Sequence, residues 1–186
     1  MEIGELIRDG LASTKRVFDR TLEGLTPAEL KWQPRMDANS IGLILFHSIR
    51  AEDSSIHTLR GKSQLWESEK WYQKFHKAIN DGGAHYAAEQ VAGFAVPELK
   101  ELLAYADAVR KDTLEYLSSL KPEDFDKKVS LPPPPVAMVS PSGRPAPPRP
   151  PLNPAVGSML LHLVTHLSEH AGEISYLRGL QRGMDK

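Results

Sequence analysis

The sequence predicts an all-α protein, a four-helix bundle with an aromatic-rich cover segment and a proline-rich surface loop. Four long segments place apolar residues at helical spacing, and no segment shows the alternation expected of a strand. The length of 186 residues fits a single domain, residues 1–186, that is large enough to bury a substantial core.

Residues that typically begin or end helices divide the chain into its predicted helices. The first helix stops at Gly24, and Thr26 and Glu29 then form a capping box with Pro27 at the first helical position, which predicts a short second helix. The long helices are predicted at residues 2–24, 40–59, 97–119 and 154–180.

Two linkers have unusual compositions. The linker between the second and third long helices is rich in aromatic residues, which predicts a packed cover over the bundle. Residues 131–154 hold 11 of the 15 prolines, so we expect an extended surface loop there, without helix or strand. A ligand for a proline-binding domain is the alternative interpretation of this loop. The aromatic residues of the cover are Trp66, Trp71, Tyr72, Phe75, Tyr86 and Phe94.

The amino-acid composition excludes several classes of function and of ligand. Balanced charge, 23 Lys and Arg against 24 Asp and Glu, disfavours nucleic-acid or membrane-surface partners. The absence of cysteine excludes disulfides, thiolate ligands and a cysteine nucleophile, so a metal ion would need His and carboxylate ligands. The charged N-terminus is unlike a signal peptide and no apolar run is long enough to span a membrane, which predicts a cytoplasmic protein.

Three histidines follow one another at intervals of four on the last predicted helix. His170 falls inside its apolar stripe, His166 lies on the flank of that stripe, and His162 lies near the solvent boundary. Residues four apart share a helical face, so two such imidazoles can bind one metal ion. The alternative is one satisfied core histidine with surface neighbours. The stripe consists of Leu163, Leu167, Ile174 and Leu177.

His47 is a candidate third ligand. It lies off the apolar stripe of the second long helix, but residues 41–46 before it are apolar on every side, so this end is expected to be buried all round. A weak internal repeat, Leu25–Leu30 after the first long helix and Leu120–Phe125 after the third, places His47 and His166 at comparable positions.

Four segments, Asn39–Asp53, Leu65–Glu67, Trp71–Phe75 and His166–Glu173, together resemble the DinB-like family, and in particular its subgroup related to thiol transferases. Asn39–Asp53 looks like the helix that carries the family's first metal-binding histidine, and His166–Glu173 looks like its closing H-x-x-x-H-x-G-Q motif. Leu65–Glu67 and Trp71–Phe75 are similar to a tryptophan-rich connection. The resemblance covers essentially the whole chain.

The resemblance implies a homodimeric four-helix bundle that binds one divalent metal ion, most commonly Zn or Ni, through His47, His166 and His170. It also implies a small-molecule substrate and a low-molecular-weight thiol as cosubstrate, since characterised relatives include transferases and isomerases that act with bacillithiol or mycothiol. Imidazole ligands alone also suit Cu and Fe. Glu173 stands where the family pattern has Gln, and replaces an amide by a carboxylate that only accepts hydrogen bonds.

The candidate metal site and the resemblance together predict a metal-dependent enzyme of the S-transferase or hydrolase type. Glu173 is a candidate catalytic residue, as a general base or as the group that orients a ligand imidazole; an exposed glutamate is the alternative. Arg50 is a candidate for binding an anionic substrate group, with a surface salt bridge as the alternative. A non-catalytic metal-binding or ligand-binding bundle is the rival function. The other histidines are expected to be ordinary surface or cover residues: His57, His76, His85 and His162.

Overall fold

The computed structural model describes residues 2–131 and 152–183, and this part of the chain is helical, with an isolated β-bridge but no strand. The predicted all-α class is confirmed. None of the described helices is both long and apolar enough to cross a membrane. The helices are α1 (Ile3–Leu22), α2 (Pro27–Lys31), α3 (Ile41–Arg60), α4 (Leu65–Ser68), α5 (Trp71–Lys74), α6 (Ala88–Ala92), α7 (Leu99–Ser119), a 3-10 helix (Pro122–Asp126) and α8 (Val156–Arg182).

The predicted helix starts agree closely with the structure. Glu29 donates its backbone N–H to the Thr26 hydroxyl, and its carboxylate accepts the Thr26 N–H at 2.8 Å, so the capping box that begins α2 is confirmed. The Ser40 hydroxyl caps α3, and Gly61 ends that helix in the left-handed conformation at φ 62°. The 3-10 helix after α7 stands where α2 stands after α1, as the internal repeat predicts.

Four long helices form the bundle: α8 packs against α1 and α3, and α3 also packs against α7. The first six residues of α3, 41–46, are all buried, which confirms that this end is surrounded on every side. Two apolar residues at the start of α1 do not face the core, because Ile3 and Leu6 are 53% and 56% exposed. The first turn of α1 instead contacts the 3-10 helix through Gly4, where an added Cβ would lie 3.3 Å from the Phe125 ring.

The aromatic linker is a packed cover, as predicted. Trp66, Trp71 and Phe75 are buried, and Trp66 stacks on Phe75 with the ring centroids 5.8 Å apart. Trp66 also contacts Phe46 of α3 and Tyr105 of α7, at 5.6 and 5.8 Å between centroids. The cover therefore joins the hydrophobic core that α3 and α7 share.

Most of the proline-rich loop, residues 132–151, lies outside the described residues, so the predicted conformation of that part stays a prediction. The chain on either side of it is paired. Val129 donates its N–H to the Pro154 carbonyl at 2.9 Å, and Leu131 donates to the Leu152 carbonyl at 3.1 Å. Proline can take part in this pairing because only its carbonyl is needed. Residues 131 and 152 are thereby held side by side where the loop begins and ends.

Candidate metal centre

Three histidine side chains from two helices converge beside the bundle core. His47 is on the first half of α3, and His166 and His170 are one turn apart on α8. The Nε2 atom of His166 lies 3.3 Å from that of His47 and 3.1 Å from that of His170. One ligating nitrogen from each ring lies within 4.8 Å of both others. The structure thus brings the three candidate ligands of the sequence together.

The separations suit a shared cation. In a tetrahedral site with bonds of about 2.0–2.1 Å, neighbouring ligand nitrogens lie about 3.3–3.4 Å apart. The two Nε2 separations, 3.3 and 3.1 Å, are close to that value. A proton on the His166 Nε2 atom can be donated to only one of its two neighbours, so a ring hydrogen cannot satisfy both contacts. A cation at the centre would satisfy all three lone pairs.

The electrostatics of the site keep two of the rings, those of His47 and His166, neutral. Burial, together with the charges of His170 and His166, lowers the pKa of His47 to about 4. Burial and the neighbouring His170 also lower the pKa of His166. Imidazoles ligate metals in the neutral form. Two of the three rings are therefore in the metal-binding form at neutral pH.

Glu173 fixes the orientation of His170. The Nδ1 atom of His170 lies 2.7 Å from the Glu173 carboxylate, one turn further along α8. A carboxylate only accepts, so Nδ1 carries the hydrogen and the Nε2 lone pair faces the cluster. The Glu173 side chain is 53% exposed. The contact is of the kind by which carboxylates orient metal-binding imidazoles.

His47 is held differently. Its Nδ1 atom is buried without a hydrogen-bond partner among the described residues. Gly83 approaches its backbone instead: an added Cβ at Gly83 would lie 3.2 Å from the His47 Cα and 2.9 Å from the Phe46 ring. With φ at 70°, Gly83 occupies a conformation and a space that only glycine fits without strain. Close packing therefore fixes the backbone at His47.

A cavity of about 440 Å³ opens onto the three histidines. This volume is in the range of small-molecule binding sites in proteins. Its walls come from α3, α6, α8 and a loop of the cover segment, residues 83–86. Besides that loop and the three histidines, the lining residues are Asn39, Leu43, Ile44 and Val91.

Arg50 does not line this cavity, and the ion pair that it forms with Asp53 is buried rather than on the surface. It is only 5% exposed and lies over the Trp66 ring, 4.4 Å from the ring centroid. Its guanidinium donates to the Asp81 carbonyl, the Asp53 carboxylate and the Tyr105 hydroxyl. The residue is buried because the cover segment folds over it, which the sequence of α3 alone does not show.

The remaining histidines divide into three cases. His162 and His76 are exposed, as expected, and the His162 ring centroid is 6.0 Å from that of His166. His57 is not a surface residue: it is buried, with Nδ1 2.8 Å from Asp53. His85 is exposed but lines the cavity, which sequence spacing did not indicate. The pair Gly82-Gly83 signals a turn before His85, but not where that turn lies.

The fold and the site together define a class of small helical bundles in which two helices bring three histidines to the wall of a cavity. A conserved protein from Enterococcus faecalis, known from its crystal structure, shares this fold with a TM-score of 0.76, at 24% identity over 97% of each chain. No curated protein matches the sequence. A family model described as the DinB superfamily matches residues 11–174, and the chain belongs to that superfamily.

Proposed function

We propose that the protein binds one divalent metal ion, Zn or Ni, through His47, His166 and His170 and acts as a metal-dependent enzyme on a small molecule. The reaction is of the thiol-dependent S-transferase or the hydrolase type. The observation that carries the proposal is the convergence of three Nε2 atoms, at separations of 3.1 and 3.3 Å, on one wall of a cavity.

Three protein ligands are typical of catalytic zinc, whereas structural zinc sites have four. A bound divalent ion supplies Lewis acidity, which favours the thiolate or hydroxide form of a group that it coordinates. The chain has no cysteine, so the thiol of a transferase reaction must come from a cosubstrate.

The protein's own residues orient a metal ligand and shield a bound substrate from water. Glu173 sets the tautomer of His170, so that its Nε2 lone pair is available to the ion. Leu43, Ile44 and Val91 give the cavity apolar walls, which keep water away from a bound substrate. Glu173 as a general base is a further part of the proposal, supported by its exposure beside the cluster.

The first test is the metal content of purified protein, measured by elemental analysis before and after loading with Zn²⁺ or Ni²⁺. Wild type should bind one ion per chain, and His166→Ala should bind none. His162→Ala is the matched control, because it removes an exposed imidazole from the same helix one turn away. Equal metal binding by wild type and His166→Ala would exclude the proposed site.

The second test separates an enzyme from a non-catalytic metal-binding bundle. Metal-loaded protein is incubated with low-molecular-weight thiols and electrophilic acceptors, and separately with ester and amide substrates. Turnover that His166→Ala loses and His162→Ala keeps would support the enzyme. Stoichiometric binding without turnover would favour the rival. Light scattering on the same samples would test the expected homodimer.

A further inference from the structure

We infer that the side chain of His85 binds the organic part of the ligand that occupies the metal centre, and selects thiols that carry a hydrogen-bonding group. This inference rests on the proposed metal site. It gives one loop residue of the cavity wall, His85, a role in substrate recognition.

The position of His85 is the first argument. It lines the same cavity as His47, His166 and His170. An imidazole can donate and accept hydrogen bonds, so it can contact a ligand in the cavity without binding the ion.

Few other side chains in the described lining of the cavity can form hydrogen bonds with a ligand. Tyr86 lines it too, but its hydroxyl donates to the Asp81 carboxylate at 2.5 Å. Burial and this bond with Asp81 raise the pKa of Tyr86, so the hydroxyl stays protonated and engaged. Among the described lining residues outside the cluster, Asn39 and His85 then supply the side-chain groups for polar recognition.

The backbone of His85 is the second argument. Its φ is 59°, a left-handed conformation that is costly for a residue with a side chain. His76 has a similar φ, 52°, but it follows α5, where the N–H of Lys77 bonds to the Tyr72 carbonyl as in a helix C-cap. His85 follows no helix, so helix capping does not account for its conformation.

The loop is held in place on both sides of His85. Asp81 accepts a hydrogen bond from Arg50 of α3 at its carbonyl, 3.0 Å away, and binds Tyr86 through its carboxylate. Gly83 packs against the His47 backbone. The position of His85 is therefore defined relative to the histidine cluster, as recognition of a ligand requires.

The lining chemistry indicates the ligand class. The cavity is lined by apolar residues, imidazoles, one amide and the engaged phenol of Tyr86, with no Lys, Arg, Asp or Glu among its described lining residues. A metal-bound thiol with a short body and one hydrogen-bonding group, such as a carboxylate, suits this lining. In this arrangement the thiolate coordinates the ion, and the hydrogen-bonding group of the thiol contacts the His85 side chain.

The experiment uses Co²⁺-loaded protein, because its visible absorption changes when a thiolate coordinates. The probes are 3-mercaptopropionate, which carries a carboxylate, and 1-propanethiol, which lacks it. The variants are His85→Ala and His85→Gly, the second because glycine suits the positive φ. His76→Ala is the matched control, an exposed histidine with positive φ outside the cavity lining.

All variants should bind Co²⁺ as tightly as wild type. Both His85 variants should bind 3-mercaptopropionate about 10-fold more weakly, the effect of one lost hydrogen bond to a charged group, and 1-propanethiol unchanged. His76→Ala should match wild type with both thiols.

Each other outcome has a distinct meaning. Unchanged affinity of both His85 variants for 3-mercaptopropionate would overturn the inference and leave the metal site intact. Loss of Co²⁺ affinity in these variants would overturn it too, because His85 would then support the ion. Wild type that binds Co²⁺ but neither thiol would also overturn it. Wild type that does not bind Co²⁺ would instead exclude the proposed function on which it rests.

Discussion

Two regions of α3 bury polar groups in opposite ways. The Asp53 carboxylate is fully matched: it accepts from the backbone N–H groups of Leu65 and Trp66, at 3.0 and 2.9 Å, and from Tyr105. His57 lies against the same carboxylate. Less than two turns earlier, His47 points into a cluster of like groups and leaves its Nδ1 atom without a partner among the described residues.

The difference separates structure from function. The buried Asp53 carboxylate has hydrogen-bond donors at both oxygens, so its hydrogen-bonding capacity is satisfied. These bonds join the cover segment to α3 and α7. Three imidazole lone pairs facing one another are an incomplete set, because each needs a donor or a cation. We therefore attribute stability to the Asp53 network and ligand binding to the histidine cluster.

The largest expected effect is on stability, at Asp53. Asp53→Asn replaces a carboxylate oxygen by an NH₂ group that faces other donors, and removes the charge opposite Arg50 and His57. The cost should be about 3–5 kcal/mol in the free energy of unfolding, measured by urea denaturation.

The control is Asp19→Asn, which removes the partner of Lys15 in an exposed ion pair on α1. It should cost less than about 0.5 kcal/mol. A loss below about 1 kcal/mol at Asp53 would mean that the network does not hold the cover in place, and the proposed contrast between the two regions would fail.

The second effect is on metal-dependent stability, at His170. Metal-free His170→Ala should keep the helical circular dichroism of wild type, because the bundle has ample apolar core without the ring. Wild type should gain about 4 kcal/mol at a metal concentration about 1,000-fold above its Kd, and the variant should gain none. Unfolding of wild type by a chelator would favour a structural ion instead.

The sequence predicted one of these regions better than the other. The i, i+4 spacing of His166 and His170 is local, and the apolar run before His47 marks a buried helix end. The closing motif could therefore be interpreted before the fold was known. The predicted helix bounds agree for the same reason, because capping residues act on their own helix.

The Asp53 network could not be predicted in the same way. Asp53 and His57 are four apart on α3, but Tyr105 and Asp112 come from α7. The apolar period of α3 does not indicate which polar residues the cover will enclose. His85 was missed for a related reason: its place at the cavity depends on a turn whose direction no periodic pattern encodes.

The third effect concerns the strength of metal binding, at Glu173. Glu173→Ala should weaken metal affinity about 10- to 100-fold, because the His170 ring loses the acceptor that orients it. Glu173→Gln should keep most of the affinity, since an amide oxygen also accepts from Nδ1–H. Calorimetric titration would measure both, with Glu169→Ala, one turn earlier on α8, as control.

The same pair of variants tests the catalytic role of Glu173. A general base requires a carboxylate, so Glu173→Gln should lose activity while it keeps the metal. Activity retained in Glu173→Gln would restrict Glu173 to positioning His170.

The smallest effect is the pH dependence of stability, and its sign should differ between the two regions. Although burial opposes the charged form, the bond with Asp53 and the charges of Asp53 and Asp112 raise the pKa of His57; Arg60 pairs with Asp112. The stability that His57 contributes is therefore fully present below its unfolded value of about 6.5 and is lost as the pH rises through the higher folded value. The stability difference between wild type and His57→Gln should shrink across that range.

His47 should show the reverse in metal-free protein. Burial lowers its pKa to about 4, so the unfolded chain binds more protons between about pH 4 and 6.5, and stability rises with pH there. His47→Ala should therefore gain stability relative to wild type as the pH falls from 6.5 to 5. Urea denaturation with a chelator at several pH values would measure both variants. If the stability contributions of the two histidines changed with pH in the same direction, this would contradict the distinction between His57, which is ion-paired with Asp53, and His47, which is neutral and available to a metal ion.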